Sequence, residues 1–171
     1  MATRTCGRKM MVAALAIAFC SVGPPARAEE SPLAKYVGRW DVRVKTLQPQ
    51  KLEITYIETY EWVLRRKFVK GTTQNKPDGS EDVVFAGYDQ KTKGYPFWIF
   101  SSTGTYLYLA PAAWDARQRI MTWDNPPQMD LSYRGRCTFP DDNTRRCTVL
   151  VKDWKGKVLL EQETSAVRRK D

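Results

Sequence analysis

The chain has 171 residues, with 28 Lys and Arg against 19 Asp and Glu and a formal charge of +9. It contains no histidine, which excludes Ser-His-Asp and Cys-His nucleophile pairs, histidine zinc sites and histidine-ligated haem. Basic and acidic residues are interspersed, apart from Arg168, Arg169 and Lys170 near the end, so the charge predicts a solvated surface and no nucleic-acid partner.

Residues 1–28 read as a secretory signal peptide. Arg4, Arg8 and Lys9 form a positive start, Met10 to Cys20 an apolar stretch, and Ala26-Arg27-Ala28 a cleavage site. The apolar stretch is too short to span a bilayer, and no later one approaches about 20 residues, so no membrane span is expected after cleavage. Cleavage removes four basic residues and no acidic ones, taking the charge from +9 to +5. It leaves residues 29–171 as one exported domain, periplasmic or secreted, long enough to bury a core.

Ser31 to Val37 has the makings of one helical turn, with Ser31 as cap and Pro32 in the first position. Period-two alternation then takes over. Trp40, Val42 and Val44 alternate with Arg39, Asp41, Arg43 and Lys45. In the next, longer run Leu52, Ile54, Tyr56, Glu58, Tyr60, Trp62 and Leu64 share a face. Further strands are predicted over 67–73, 82–88, 95–101, 105–110, 119–123, 129–139, 144–153 and 157–168. Turn signals such as Lys76-Pro77-Asp78-Gly79, Ser102-Thr103-Gly104 and Lys155-Gly156 separate most of them. Asp89 and Asp115 follow Tyr88 and Trp114 as turn residues.

Two cysteines follow the signal segment, Cys137 and Cys147, flanking Pro140-Asp141-Asp142-Asn143. A hairpin centred on Asp142 sets the two thiols opposite one another. Cys137 shares parity with Leu131, Tyr133 and Phe139, and Cys147 with Val149 and Val151. In an oxidising compartment the pair predicts a disulfide worth roughly 2–3 kcal/mol by loop closure. A redox or metal pair is the competing reading, against which stand the absence of a C-x-x-C spacing and of other soft ligands nearby.

About ten strands joined by short turns predict an all-β domain, a single antiparallel up-and-down barrel that closes on itself to hide its edges. The alternative, a Greek-key sandwich, needs a long crossover. Gly38-Arg39-Trp40, entered from a helical turn, resembles the Gly-x-Trp opening of lipocalin-like (calycin) barrels. There the Trp plugs the closed end beneath an Arg of the last strand, which implies Arg168 or Arg169 here. A longer pattern resembles the exported bacterial domain-of-unknown-function family DUF1579. It comprises Glu61-Trp62-Val63-Leu64, Phe68-Val69, Phe85-Ala86-Gly87-Tyr88-Asp89, Thr92-Lys93-Gly94-Tyr95, Trp98, Ser102-x-Gly104-Thr105, Trp114-Asp115 and Thr122. The resemblance runs from Val37 to the C-terminus and implies a ten-stranded barrel distantly similar to haem-binding nitrobindins. Those ligate haem through a histidine that this chain lacks, so no cofactor is expected. The family brings no catalytic residues.

Six Trp, eight Tyr and six Phe are a heavy load, and a barrel of about ten strands has an interior wider than side chains fill easily. Tyr56, Tyr60, Trp62, Trp98, Tyr106, Tyr108 and Trp123 are therefore candidates to line a pocket for a small apolar or amphipathic molecule. Parity leaves Trp98 open, because its strand is apolar on both faces. Glu58 falls on a face otherwise apolar, where a carboxylate needs a partner. It is either a ligand anchor or general acid/base, or one member of a structural network with an Arg or Tyr. The leading expectation is an exported binding module. The alternatives are a His-independent enzyme using Glu58 and a lumen Tyr, and an interaction protein with a filled barrel. No metal site, phosphate loop or nucleophile elbow is present.

Overall fold

The computed structural model describes residues 31–124 and 131–170, so the signal-peptide expectation and the start of the strand predicted from Met129 lie outside the described residues. A 3-10 turn, Pro32–Lys35, leads into ten strands: β1 (Gly38–Gln48), β2 (Leu52–Val63), β3 (Phe68–Gln74), β4 (Asp82–Gly87), β5 (Tyr95–Ser101), β6 (Tyr106–Asp115), β7 (Ile120–Asp124), β8 (Leu131–Thr138), β9 (Thr144–Asp153) and β10 (Val158–Arg168). Each pairs antiparallel with its chain neighbours, and β10 pairs with β1 to close the barrel. The fold is thus all-β and up-and-down, and closure leaves no edge strand.

The alternation of β1 translates directly into burial: Trp40, Val42 and Val44 are buried while Arg39, Asp41, Arg43 and Lys45 are exposed. Register carries this parity around the wall. Trp40, Val42 and Val44 stand opposite Glu58, Tyr56 and Ile54 of β2, and opposite Arg168, Ala166 and Thr164 of β10. Odd-numbered strands run away from the 3-10 turn and even ones return, so the barrel has a floor at the turn and a mouth at the far end.

β6 extends to Asp115 rather than stopping at Ala110. Tyr95 pairs with Ala112 but Phe97 with Leu109, which puts an extra residue into β6 beside Pro111. A bulge is where a sheet tolerates a residue with no amide proton. The bulge keeps Leu107 and Leu109 on the inner parity at one end and Ala112 and Trp114 at the other. Asp89 and Asp115 cap their turns as expected: Asp89 accepts from Lys91 N and Thr92 Oγ1, Asp115 from Arg117 N and Gln118 N. Cys137 and Cys147 are direct cross-strand partners and form a disulfide. No helix among the described residues is long and apolar enough to cross a membrane.

Candidate functional site

The floor is built first by Trp40, which is fully buried and donates from Nε1 to Tyr36 O at 2.7 Å. Arg168 of β10 covers the Trp40 ring at 4.4 Å. Its guanidinium donates to the carbonyls of Val37, Lys35 and Asp142, tying the turn, β1 and the β8–β9 loop together. Gly38 makes room for it: φ is +126°, and a Cβ would lie 2.3 Å from Arg168 Nη1. Of the two basic candidates for this position, Arg168 is the one on Trp40; Arg169 turns outward to Asp41.

Above Trp40, Tyr36 rises from the turn into the barrel and meets the rings of Tyr60, Phe97 and Phe139 at 5.6, 5.7 and 5.2 Å. Arg145 of β9 points into this cluster, 5.1 Å from the Tyr36 ring, 5.4 Å from Trp40 and 5.7 Å from Tyr60. It is 3% exposed and its Nη2 donates to Glu58 Oε2, while Glu58 Oε1 accepts from Tyr56 OH at 3.2 Å. Burial opposes the Arg145 charge, but the adjacent Glu58 carboxylate outweighs it and holds the guanidinium above its ordinary range. Burial, reinforced by Glu58, likewise pushes the Tyr56 and Tyr60 phenols up.

Toward the mouth the inner wall changes character. Ile54, Tyr56, Ile99, Val149, Val151 and Gln162 share the inward parity of the floor residues, yet each keeps partial solvent exposure. Lys76, from the β3–β4 loop, folds over the mouth with Nζ 5.7 Å from the Tyr56 ring centroid and 2.5 Å from Asp82 Oδ2. Asp82 shares the inward parity of Val84 and Ala86. A polar ladder therefore climbs one wall, Arg145–Glu58–Tyr56–Lys76–Asp82, while the wall opposite is apolar.

The residues singled out by sequence divide accordingly. Tyr56, Glu58 and Tyr60 come together on the inner wall. Trp123 is also inward and buried, edge-on to Phe97 at 5.2 Å. Trp62 sits low at the floor, half-buried, with the Arg66 guanidinium 5.3 Å from its ring. The lumen placement of Trp98, Tyr106 and Tyr108 is corrected: they stand on the outer wall. Register sets Phe97 and Ile99 inward, so Trp98 and its partner Tyr108 face out, as do Phe100 and its partner Tyr106, the latter 79% exposed. Tyr36, Arg145, Lys76 and Asp82 were not singled out. Parity with Cys147 and Val149 carried the signal for Arg145, and parity with Val84 that for Asp82.

Two open hollows lie over β1 and β10: one of about 370 Å³ lined in part by Arg43, Lys45 and Arg146, and one of about 450 Å³ lined in part by Asp41, Ile57 and Arg169, which also touches Tyr56 of the ladder. Among the described residues no three His, Cys, Asp or Glu side chains cluster as a metal site requires.

Residues 26–165 match the family model described as "Protein of unknown function (DUF1579)". No curated protein matches the sequence. Among solved structures the chain is similar to Rv2717c from M. tuberculosis, with a TM-score of 0.60 at 10% identity, covering 81% of this chain and 95% of that one. That likeness shows the fold. Weaker ones are to the S-type phycobiliprotein lyase CPES from Guillardia theta (TM-score 0.46, 15% identity, 80% and 90% covered) and to a DUF3598-family protein of unknown function from Nostoc punctiforme (TM-score 0.48, 8% identity, 80% and 48% covered).

Proposed function

We propose that this chain, which belongs to the DUF1579 family of proteins of unknown function, is an exported binding module whose lumen holds a small apolar or amphipathic molecule. One observation carries this: the inner wall of a closed barrel stays partly solvent-accessible above a floor packed with aromatic rings. A preformed, largely apolar recess with a few placed polar groups is the usual form of a ligand site. Tyr56, Tyr60 and Glu58 would line its base, and Trp123 and Trp62 would pack the floor beneath. Export is supported by the signal pattern of residues 1–28 and by the Cys137–Cys147 disulfide. The Arg145–Glu58 pair works against Glu58 as a general base, because its carboxylate is already hydrogen-bonded twice.

Native mass spectrometry of the mature chain, purified from its own host, tests the proposal. A retained small molecule that is lost in an Ile99→Trp variant, which fills the upper lumen, supports it. A bare mass across several preparations, with wild type and Ile99→Trp equally indifferent to added apolar ligands, overturns it.

A further inference from the structure

The upper lumen is charge-balanced, and that restricts what it accepts. Glu58 and Arg145 neutralise one another at its base, Lys76 and Asp82 at its mouth. Asp153, which has inward parity at the rim, already accepts from the amides of Lys155 and Lys157, both at 2.9 Å. Arg168 lies against the Trp40 ring, held by three backbone carbonyls. The two amides do not neutralise Asp153, whose charge stays at the rim; below it none of these charges is left to serve as counter-ion to a ligand.

We infer that the lumen selects uncharged amphipathic molecules, bearing hydroxyl, carbonyl or amide groups on one side, and rejects ionised ones. This rests on the lumen being the binding site. An ion entering such a space loses its hydration and gains no opposite charge in return, so its affinity falls steeply. A neutral polar group loses little. It meets the Tyr56 hydroxyl, Thr73, Thr164 and the Thr46–Gln162 pair along the arc β10–β1–β2–β3. Its apolar side meets Ile99, Leu107, Leu109, Val149 and Val151 on the arc β5–β6 and β9. Burial and Glu58 keep the Tyr56 phenol protonated, so it presents a hydrogen-bonding hydroxyl and no charge.

A matched pair of fluorescent probes isolates charge from shape: N-phenyl-1-naphthylamine, which is neutral, and 8-anilinonaphthalene-1-sulfonate, the same ring system with a sulfonate. The neutral probe is expected to bind the mature chain at least about tenfold more tightly, and Ile99→Trp to abolish its binding. Asp82→Asn, at the mouth, strips Lys76 of its counter-ion. It is expected to tighten the sulfonate by about tenfold and to change the neutral probe less than about threefold. Glu58→Gln exposes Arg145 in the same way deeper in, and Asp82→Asn stands as the informative variant should Glu58→Gln fail to fold. Sulfonate binding that equals or exceeds that of the neutral probe in wild type, and is lost in Ile99→Trp, overturns this inference and leaves lumen binding intact. No binding of either probe, or binding untouched by Ile99→Trp, overturns lumen binding and this inference with it.

Discussion

Arg145 of β9 reaches Glu58 of β2 across 87 residues of sequence and past the two strands between them, β10 and β1, and both side chains are nearly sealed from water. Removing one partner strands a buried charge, so Glu58→Gln or Arg145→Met alone is expected to cost about 3–5 kcal/mol. Replacing both with apolar residues of similar volume should restore most of that loss. Urea denaturation of the two single variants and the double variant measures it; additive losses would show that the pair does not act as a unit.

The two arginines at the end of β10 are expected to behave very differently. Arg168→Ala uncovers the Trp40 ring and frees three carbonyls, a loss of about 1–3 kcal/mol. Arg169→Ala removes only an exposed pair with Asp41, a small contribution that salt screens. Thermal melts at low and high ionic strength distinguish them: only the Arg169→Ala difference should shrink as salt rises.

Gly71 faces Tyr60 across the β2–β3 pair, and a Cβ there would stand 2.3 Å from Tyr60 Cε1. Tyr60 cannot retreat, since Tyr36 and Arg145 pack on it. Gly71→Ala is therefore expected to destabilise by about 1–3 kcal/mol despite a strand's general preference for Ala over Gly. Gly79→Ala, whose Cβ would meet nothing within 4 Å but whose φ is +71°, carries only the backbone cost. Equal losses in the two variants would remove the steric explanation.

Alkaline pH should unfold the barrel cooperatively. Burial raises the phenols of Tyr36, Tyr56, Tyr60 and Tyr133, that of Tyr133 from 10.0 to about 12. Below the unfolded value both states hold these protons and stability is undiminished. Above it the unfolded chain ionises first, and stability falls by about 1.4 kcal/mol per pH unit for each such tyrosine, until the folded group also loses its proton. The absorbance of these four buried phenolates and circular dichroism should change together above about pH 10. Tyr56→Phe should lessen the slope by one proton. Ionisation of all four without loss of structure would contradict it.

Strand positions were legible wherever one face met water. β1 alternates cleanly; β2 does so with exceptions, since Ile57 is buried on the outer parity and Leu52 exposed on the inner one, but the inward run from Ile54 to Trp62, including the incongruous Glu58, follows from period two. The Cys137–Cys147 pairing was legible for the same reason, a short hairpin with matched parity. β5 was not. Phe97-Trp98-Ile99-Phe100 is apolar on both faces because the barrel carries aromatic side chains outside as well as inside, and composition cannot tell the two walls apart. The partner of Glu58 lay hidden in Arg145-Arg146, adjacent residues of one type that point in opposite directions. Tyr36 escaped notice because a single helical turn has no periodicity to show which side chain enters the core. The mouth pair of Lys76 and Asp82 needs a loop to fold back, which no strand pattern encodes.

Arg168 closes β10, yet the groups it holds, the carbonyls of Lys35 and Val37 and the ring of Trp40, stand around the start of β1. During synthesis β1 to β9 can make eight hairpin contacts in sequence while the bottom stays unsealed. Only when β10 emerges does the cylinder shut. A nascent chain stalled before β10 would be an open ribbon, prone to pair with a neighbour's unsatisfied strand.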